Sequence, residues 1–130
     1  MADCIFCKIR DSKIFSNKIY EDRECFVILD AFPATKGQAL VISRKHEGYI
    51  FNLDDETYKH LMLISKKVSK AIDKAFKTLR TCLVIEGFEI PHVHVRLHPA
   101  YEKKLLVKSS DTKPSEQEFK QQAEKIKSLL

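Results

Sequence analysis

Residues 91–99, Pro91-His92-Val93-His94-Val95-Arg96-Leu97-His98-Pro99, alternate basic and apolar side chains without a break between two prolines. A helix repeats its faces about every 3.6 residues, whereas a strand sends successive side chains to opposite sides, so this run specifies a strand. His92, His94, Arg96 and His98 then share one face, and Val93, Val95 and Leu97 anchor the other in a core. A chain carrying this run must build a sheet with an apolar layer behind it. Three of its five histidines fall in this one row. A row of imidazoles and a guanidinium suits a phosphate or a metal ion. A neutral imidazole is also among the few side chains able to attack phosphorus near pH 7. The bland alternative is a half-buried strand whose polar face happens to carry histidine, and the clustering argues against it.

The rest of the chain is read around that strand. Cys25-Phe26-Val27-Ile28-Leu29 is a short apolar run ending at Asp30, and Ala31–Gly37 follows as a loop punctuated by Pro33 and Gly37. Ala39-Leu40-Val41-Ile42-Ser43 then returns, which predicts an antiparallel hairpin. Leu53-Asp54-Asp55 opens a long helix, because carboxylates cap the first turn and suit the positive end of its dipole. Tyr58, Leu61, Met62, Ser65, Val68, Ile72, Ala75 and Phe76 recur on one side of it, with Lys59, Lys66, Lys67, Lys70, Lys74 and Lys77 on the solvent side. Thr81-Cys82-Leu83-Val84-Ile85 is a further strand, joined to the histidine strand through Glu86–Ile90. Ser115-Glu116-Gln117-Glu118 is a capping-box pattern that starts a C-terminal helix striped by Phe119, Ala123, Ile126 and Leu130. Strand, strand, helix, strand, strand, helix predicts an α+β fold around an antiparallel sheet.

The chain's 130 residues suffice for one domain and its core but not for two. No apolar run approaches the roughly 20 residues that cross a bilayer. Met1-Ala2-Asp3-Cys4 lacks the basic and apolar regions of a secretion signal. The expectation is cytoplasmic residence, no membrane partner and reduced cysteines. The net charge is +5, but the 23 basic residues are interleaved with 18 acids. No basic block alternates with exposed aromatics, so nucleic acid is not the expected partner. Cys25 and Cys82 sit in apolar runs and read as buried core thiols. Cys4-x-x-Cys7 taken alone stays open between metal, redox and accident.

From about Cys4 to Tyr101 the chain resembles the histidine-triad (HIT) family of nucleotidyl hydrolases and transferases. The resemblance rests on several motifs in order. They are Cys4-Ile5-Phe6-Cys7-Lys8-Ile9, then Ile19–Asp22 and Phe26–Asp30, then Lys36–Ile42 closed by Lys45-His46, and finally Pro91-His92-Val93-His94. The two prolines set the register, so Arg96 stands at the third histidine of the triad and His98 at the last apolar position. Gln38 stands where many members carry histidine.

The resemblance implies a sheet of about five strands with one long helix and a C-terminal helix, usually in a two-fold dimer. It sets residues 1–110 as the HIT-like domain and 111–130 as a helical extension of that domain. It implies a purine nucleotide or nucleotide conjugate as partner, attacked at its α-phosphate by His94 to form a covalent nucleotidyl-histidine. That is the chemistry of a nucleotide phosphoramidase or dinucleoside-polyphosphate hydrolase. Arg96 fits as a clamp on the phosphoryl oxygens, being permanently charged and able to engage two of them. It cannot donate a proton near pH 7, which leaves His98 and Glu89 as candidates for that step. Asp30 is the expected acceptor for the ribose hydroxyls, Gln38 and Glu89 complete the nucleotide contacts, and Ile19, Ile28 and Phe32 are candidate walls for the base. Members with this Cys-x-x-Cys complete a structural zinc site with two histidines, here Cys4, Cys7, His46 and His92. The alternative is a purine-nucleotide-binding regulator with little or no turnover, because arginine replaces the third histidine. A third reading, a nucleic-acid end-processing module, would be expected to carry further DNA-binding segments.

Overall fold

The structure is a computed structural model describing residues 3–130. The first two residues of the targeting argument, Met1 and Ala2, lie outside that range. In chain order the elements are α1 (Ile5–Arg10), β1 (Lys18–Glu21), β2 (Cys25–Leu29) and β3 (Ala39–Ser43). A single 3-10 turn (Ile50–Asn52), α2 (Asp55–Phe76), β4 (Arg80–Val84), β5 (His94–Ala100) and α3 (Glu116–Lys127) follow. The five strands form one antiparallel sheet in the order β1-β2-β3-β5-β4. The α+β fold with a five-stranded sheet, one long helix and a C-terminal helix is as the sequence predicts. The hairpin is β2–β3, with Cys25 opposite Ser43 and Leu29 opposite Ala39.

The predicted histidine strand is β5, and it lies inside the sheet between β3 and β4. Val93, Val95 and Leu97 join the core formed with α2, where Leu61, Val68, Ala71 and Ile72 face inward. The helix starts as its sequence requires: the Asp54 carboxylate accepts a hydrogen bond from the Thr57 N–H. All six lysines assigned to its solvent side are exposed. The capping box at Ser115 and Glu118 forms both of its hydrogen bonds. Phe119, Ala123 and Ile126 then dock α3 into the α2-side core.

Three features depart from the sequence reading. The Cys-x-x-Cys segment forms a short helix, α1, an element absent from the order of strands and helices expected from the sequence. Its Phe6 and Ile9 sit against Phe26, Ile28, Leu40 and Ile42 in a second apolar cluster, on the histidine side of the sheet. Cys82 is only partly buried because β4 is an edge strand, whereas Cys25 is fully buried as expected. Beyond β5, residues 101–113 form an exposed strap that returns across the end of the sheet. It is fastened by Ser110 N–H to the Pro33 carbonyl and by the Ser109 hydroxyl to the Phe32 carbonyl. No helix among the described residues is long and apolar enough to cross a membrane.

Gly37 shows how tightly the β2–β3 loop is held. Its φ of +87° lies in the left-handed region that favours glycine, and an added Cβ would stand 2.8 Å from the Phe76 ring.

Candidate active site and metal centre

The histidine face of β5 holds two different constellations. At its start, four donors converge from three segments: Cys4 and Cys7 from α1, His46 after β3, and His92 just before β5. Cys4 Sγ is 3.3 Å from His92 Nδ1, Cys7 Sγ is 3.3 Å from His46 Nδ1 and 3.6 Å from His92 Nδ1, and the two Nδ1 atoms are 3.1 Å apart. Metal–sulfur and metal–nitrogen bonds of about 2.3 and 2.0–2.1 Å around a tetrahedral ion put such donors about 3.3–3.8 Å apart. The four therefore stand close to the spacing that one tetrahedral ion requires.

The protonation pattern agrees with the spacing. His92 Nε2 lies 2.6 Å from the Ser43 carbonyl oxygen and donates its hydrogen there, which leaves a lone pair on Nδ1 facing the cysteines. Burial, then the adjacent Cys4 thiol, push the Cys7 thiol up. Two thiolates this close repel, and a dication between them would remove the penalty. A second group of potential ligands, Asp22, Cys25 and His60, lacks this character. Its carboxylate is already taken by the Tyr20 hydroxyl, His60 and two backbone N–H groups, and burial pushes the Cys25 thiol up to about 12.

Two residues on, His94 is buried with its Nδ1 2.7 Å from the His92 carbonyl oxygen. The N–H is donated to that carbonyl, so Nε2 carries the lone pair. Burial lowers its basicity and keeps the ring neutral, against the smaller opposing effect of that hydrogen bond. The Phe6 ring packs edge-on against His94, with centroids 4.8 Å apart, and against His92 at 5.7 Å. Ile42 and Leu40 stand opposite His94 and Arg96 on β3. The Arg96 guanidinium reaches the Val107 carbonyl at 3.2 Å and the Glu86 carboxylate at 3.9 Å.

Asp30 follows the end of β2. One carboxylate oxygen accepts the Gln38 side-chain N–H at 2.6 Å and the other accepts the Phe32 backbone N–H at 2.9 Å. Gln38 is itself pinned, since its amide oxygen accepts the Ala34 N–H at 2.8 Å. Gln38 thus aims Asp30 rather than facing a ligand, and each Asp30 oxygen retains accepting capacity.

The remaining sequence candidates divide. Ile28 lies on the histidine face, in the cluster with Phe6 and Ile9. Ile19 belongs instead to the core beneath the opposite face: its neighbour Lys18 pairs with Ile28, so ordinary alternation turns Ile19 away from the histidine face. Phe32 is 65% exposed in the loop, with the Lys113 ammonium 4.9 Å from its ring centre. Glu89 is exposed on the turn before β5, and Glu86 is the acid that approaches Arg96. His98 is 1% exposed and neither ring nitrogen has a hydrogen-bond partner. Burial, then the nearby Arg96 charge, push it toward the neutral form, while the Leu106 backbone approaches short of hydrogen-bond geometry.

Three residues of the site were not singled out from sequence: Phe6, Ile9 and Glu86. For the first two the signal existed, an apolar pair three positions apart in Cys4–Ile9, which is helical spacing. Nothing local distinguishes Glu86 from Glu89.

Comparison with known proteins places this arrangement. The HIT domain family matches residues 11–103. An uncharacterized HIT-like protein of Borreliella burgdorferi is 32% identical over 108 residues, covering 78% of each chain. The adenosine 5'-monophosphoramidase of Saccharomyces cerevisiae is 35% identical over 104 residues, 79% of this chain and 66% of that one. Among solved structures, a hypothetical histidine triad nucleotide-binding protein of Sulfolobus tokodaii superposes with a TM-score of 0.84 at 27% identity, covering 96% of this chain and 90% of that one. By its sequence match, its sheet order and the histidine face of β5, this chain belongs to the HIT domain family.

Proposed function

We propose that the protein is a nucleotide phosphoramidase or dinucleoside-polyphosphate hydrolase in which His94 is the nucleophile. The observation that carries this reading is the 2.7 Å contact from His94 Nδ1 to the His92 carbonyl, which fixes the tautomer with Nε2 as the free base. Nε2 attacks the α-phosphorus and the bond to the leaving group breaks with its electron pair. Water then displaces the histidine to release the mononucleotide and restore the neutral ring. The yeast relative at 35% identity, an adenosine 5'-monophosphoramidase, supports the same class of substrate.

Around that atom the parts have defined work. Arg96 stands at the third-histidine position and faces the negative charge that spreads over the phosphoryl oxygens. Glu86 and the Val107 carbonyl hold its guanidinium. Asp30, aimed by Gln38, accepts the ribose hydroxyls. Phe6, Ile9 and Ile28 supply the apolar wall for the base in place of Ile19 and Phe32. On this reading neither His98, which is buried with its basicity lowered by that burial, nor Glu89, which is exposed on its turn, is assigned the donor's role. The leaving group's proton is therefore assigned to solvent or to the substrate.

Cys4, Cys7, His46 and His92 are proposed to hold structural zinc. The four positions are filled by protein, so zinc would tie α1 to the sheet and orient His92 rather than activate water. The thiolates it needs fit a reducing, cytoplasmic setting. On this reading residues 1–110 are the catalytic unit and 111–130 its helical extension, and a two-fold dimer through α2 and the open edge of β4 is part of it.

The test is turnover of adenosine 5'-phosphoramidate and diadenosine tetraphosphate by wild type and His94→Ala, with intact mass read early in the reaction. A transient gain of one adenylyl group in wild type, and a fall of about 10³-fold or more in His94→Ala, is the expected result. Tight nucleotide binding with neither turnover nor adduct would make the protein the binding regulator instead.

A further inference from the structure

A second cleft lies away from the histidine face, where the β2–β3 loop, the end of α2, the strap and α3 meet. Its volume is about 480 Å³, within the range of small-molecule sites. We propose that this cleft binds a small phosphate-bearing anion, with Lys36, Lys125, Ser110 and Gln122 as its contacts and Phe76 as its floor.

The charges converge. The Lys36 and Lys125 ammonium groups stand 5.0 and 5.8 Å from the centre of the same Phe76 ring. Neither makes an ion pair among the described residues. The one acid lining the cleft, Glu118, has a carboxylate oxygen accepting the Ser115 N–H in the cap of α3. The cleft therefore keeps a net positive charge that faces an opening rather than a partner.

The neutral groups point the same way. Gln122 lines the cleft, and its amide makes no hydrogen bond among the described residues while remaining open to solvent there. The Ser110 hydroxyl accepts the Thr112 N–H, which leaves its own hydrogen free to donate. Two ammonium groups, an amide N–H and a hydroxyl are the donors that phosphate oxygens require. The cleft is larger than phosphate alone, and the Phe76 ring offers an apolar surface to an organic portion.

The cleft and the candidate nucleotide site share the β2–β3 loop, because the Ala34 N–H is held by the same Gln38 that holds Asp30. The test must therefore separate the two places. Inorganic phosphate and ribose 5-phosphate are titrated into labelled full-length protein, with backbone amide shifts followed by NMR and affinity by calorimetry. The expected result is saturable binding with shifts clustered at Lys36, Ser110 and Gln122. Binding should weaken about tenfold or more in Lys36→Ala/Lys125→Ala, where two charge-assisted contacts are lost, and persist in His94→Ala. Ribose 5-phosphate binding tighter than inorganic phosphate would assign an ester; equal affinities would assign the free ion. Should the double variant unfold, Gln122→Met keeps the volume on α3 and should weaken binding severalfold. Shifts centred on His94 and Arg96, unaltered affinity in a folded variant, or no saturation at all would each overturn the proposal.

Discussion

The two ends of β5 treat histidine in opposite ways. At its start His92 is fully buried, and both ring nitrogens have an assignment, Nε2 to the Ser43 carbonyl and Nδ1 to the Cys4, Cys7 and His46 cluster. Six residues later His98 is as deeply buried and neither nitrogen has a partner. Their side chains leave the strand on the same face and belong to the same alternation. The difference is what crosses above them: α1 and the segment after β3 bring donors to His92, whereas the strap brings only the Leu106 backbone toward His98, without completing a hydrogen bond. Burial of a histidine on this sheet is thus either a ligand geometry or an uncompensated cost, and the strand alone does not say which.

The strongest way to break that comparison is to remove what His92 serves. Chelation, or His92→Leu, should lower stability by several kcal/mol, since structural zinc contributes about 10 kcal/mol or more in small peptides. Guanidinium denaturation with and without added zinc, together with metal analysis of protein purified without chelator, measures this. Unchanged stability and no stoichiometric zinc would reduce His92 to a hydrogen-bonded core residue.

A third histidine sharpens the contrast, because His60 Nε2 meets the Asp22 carboxylate at 2.6 Å. Burial works to raise Asp22, but hydrogen bonds from Tyr20, the Glu24 and Cys25 backbone and His60 together hold it well below the usual carboxylate range. A depressed carboxylate contributes stability above its unfolded value of about 3.9 and loses it as pH falls through the folded value. Stability should therefore drop as pH is lowered below about 4, by roughly 2 kcal/mol in total. Asp22→Asn should be less stable at neutral pH and flatter across the acid range, as read by denaturation at stepped pH.

The smallest effect tests His98. Replacing a buried, unpartnered imidazole with an apolar side chain should be neutral or stabilising by about 1 kcal/mol. His98→Leu should leave the thermal midpoint equal or higher and keep turnover. A loss of several kcal/mol would mean that a water or ligand occupies the ring, and a loss of turnover would restore it to the mechanism.

Much of this was legible in the chain. The 91–99 alternation specifies β5 and its two faces, and the family resemblance implies Cys4, Cys7, His46 and His92 as one set. The less legible parts have physical reasons. Ile19 is a candidate wall for the base by its place in the chain, yet it packs in the core beneath the opposite face, because the strand pairing that sets its side is a tertiary fact. Phe32 and Glu89 were chosen by position along the chain, but loop residues have no period to aim them. Gln38 was legible as part of the nucleotide end, yet its role, holding Asp30, appears only when two strand ends are adjacent.

Local stereochemistry is what sequence determines by itself. It settled where strands and helices run, which side chains share a face of β5, how α2 and α3 begin, and which residue types are able to do phosphoryl chemistry. Only the tertiary structure decided what faces each of those side chains. Phe6 against His94, Glu86 beside Arg96, the strap over the C-terminal end of β5 and the cleft at Phe76 all join residues far apart in the chain. Such contacts depend on how packed layers meet, and neither residue's own neighbours in sequence encode that.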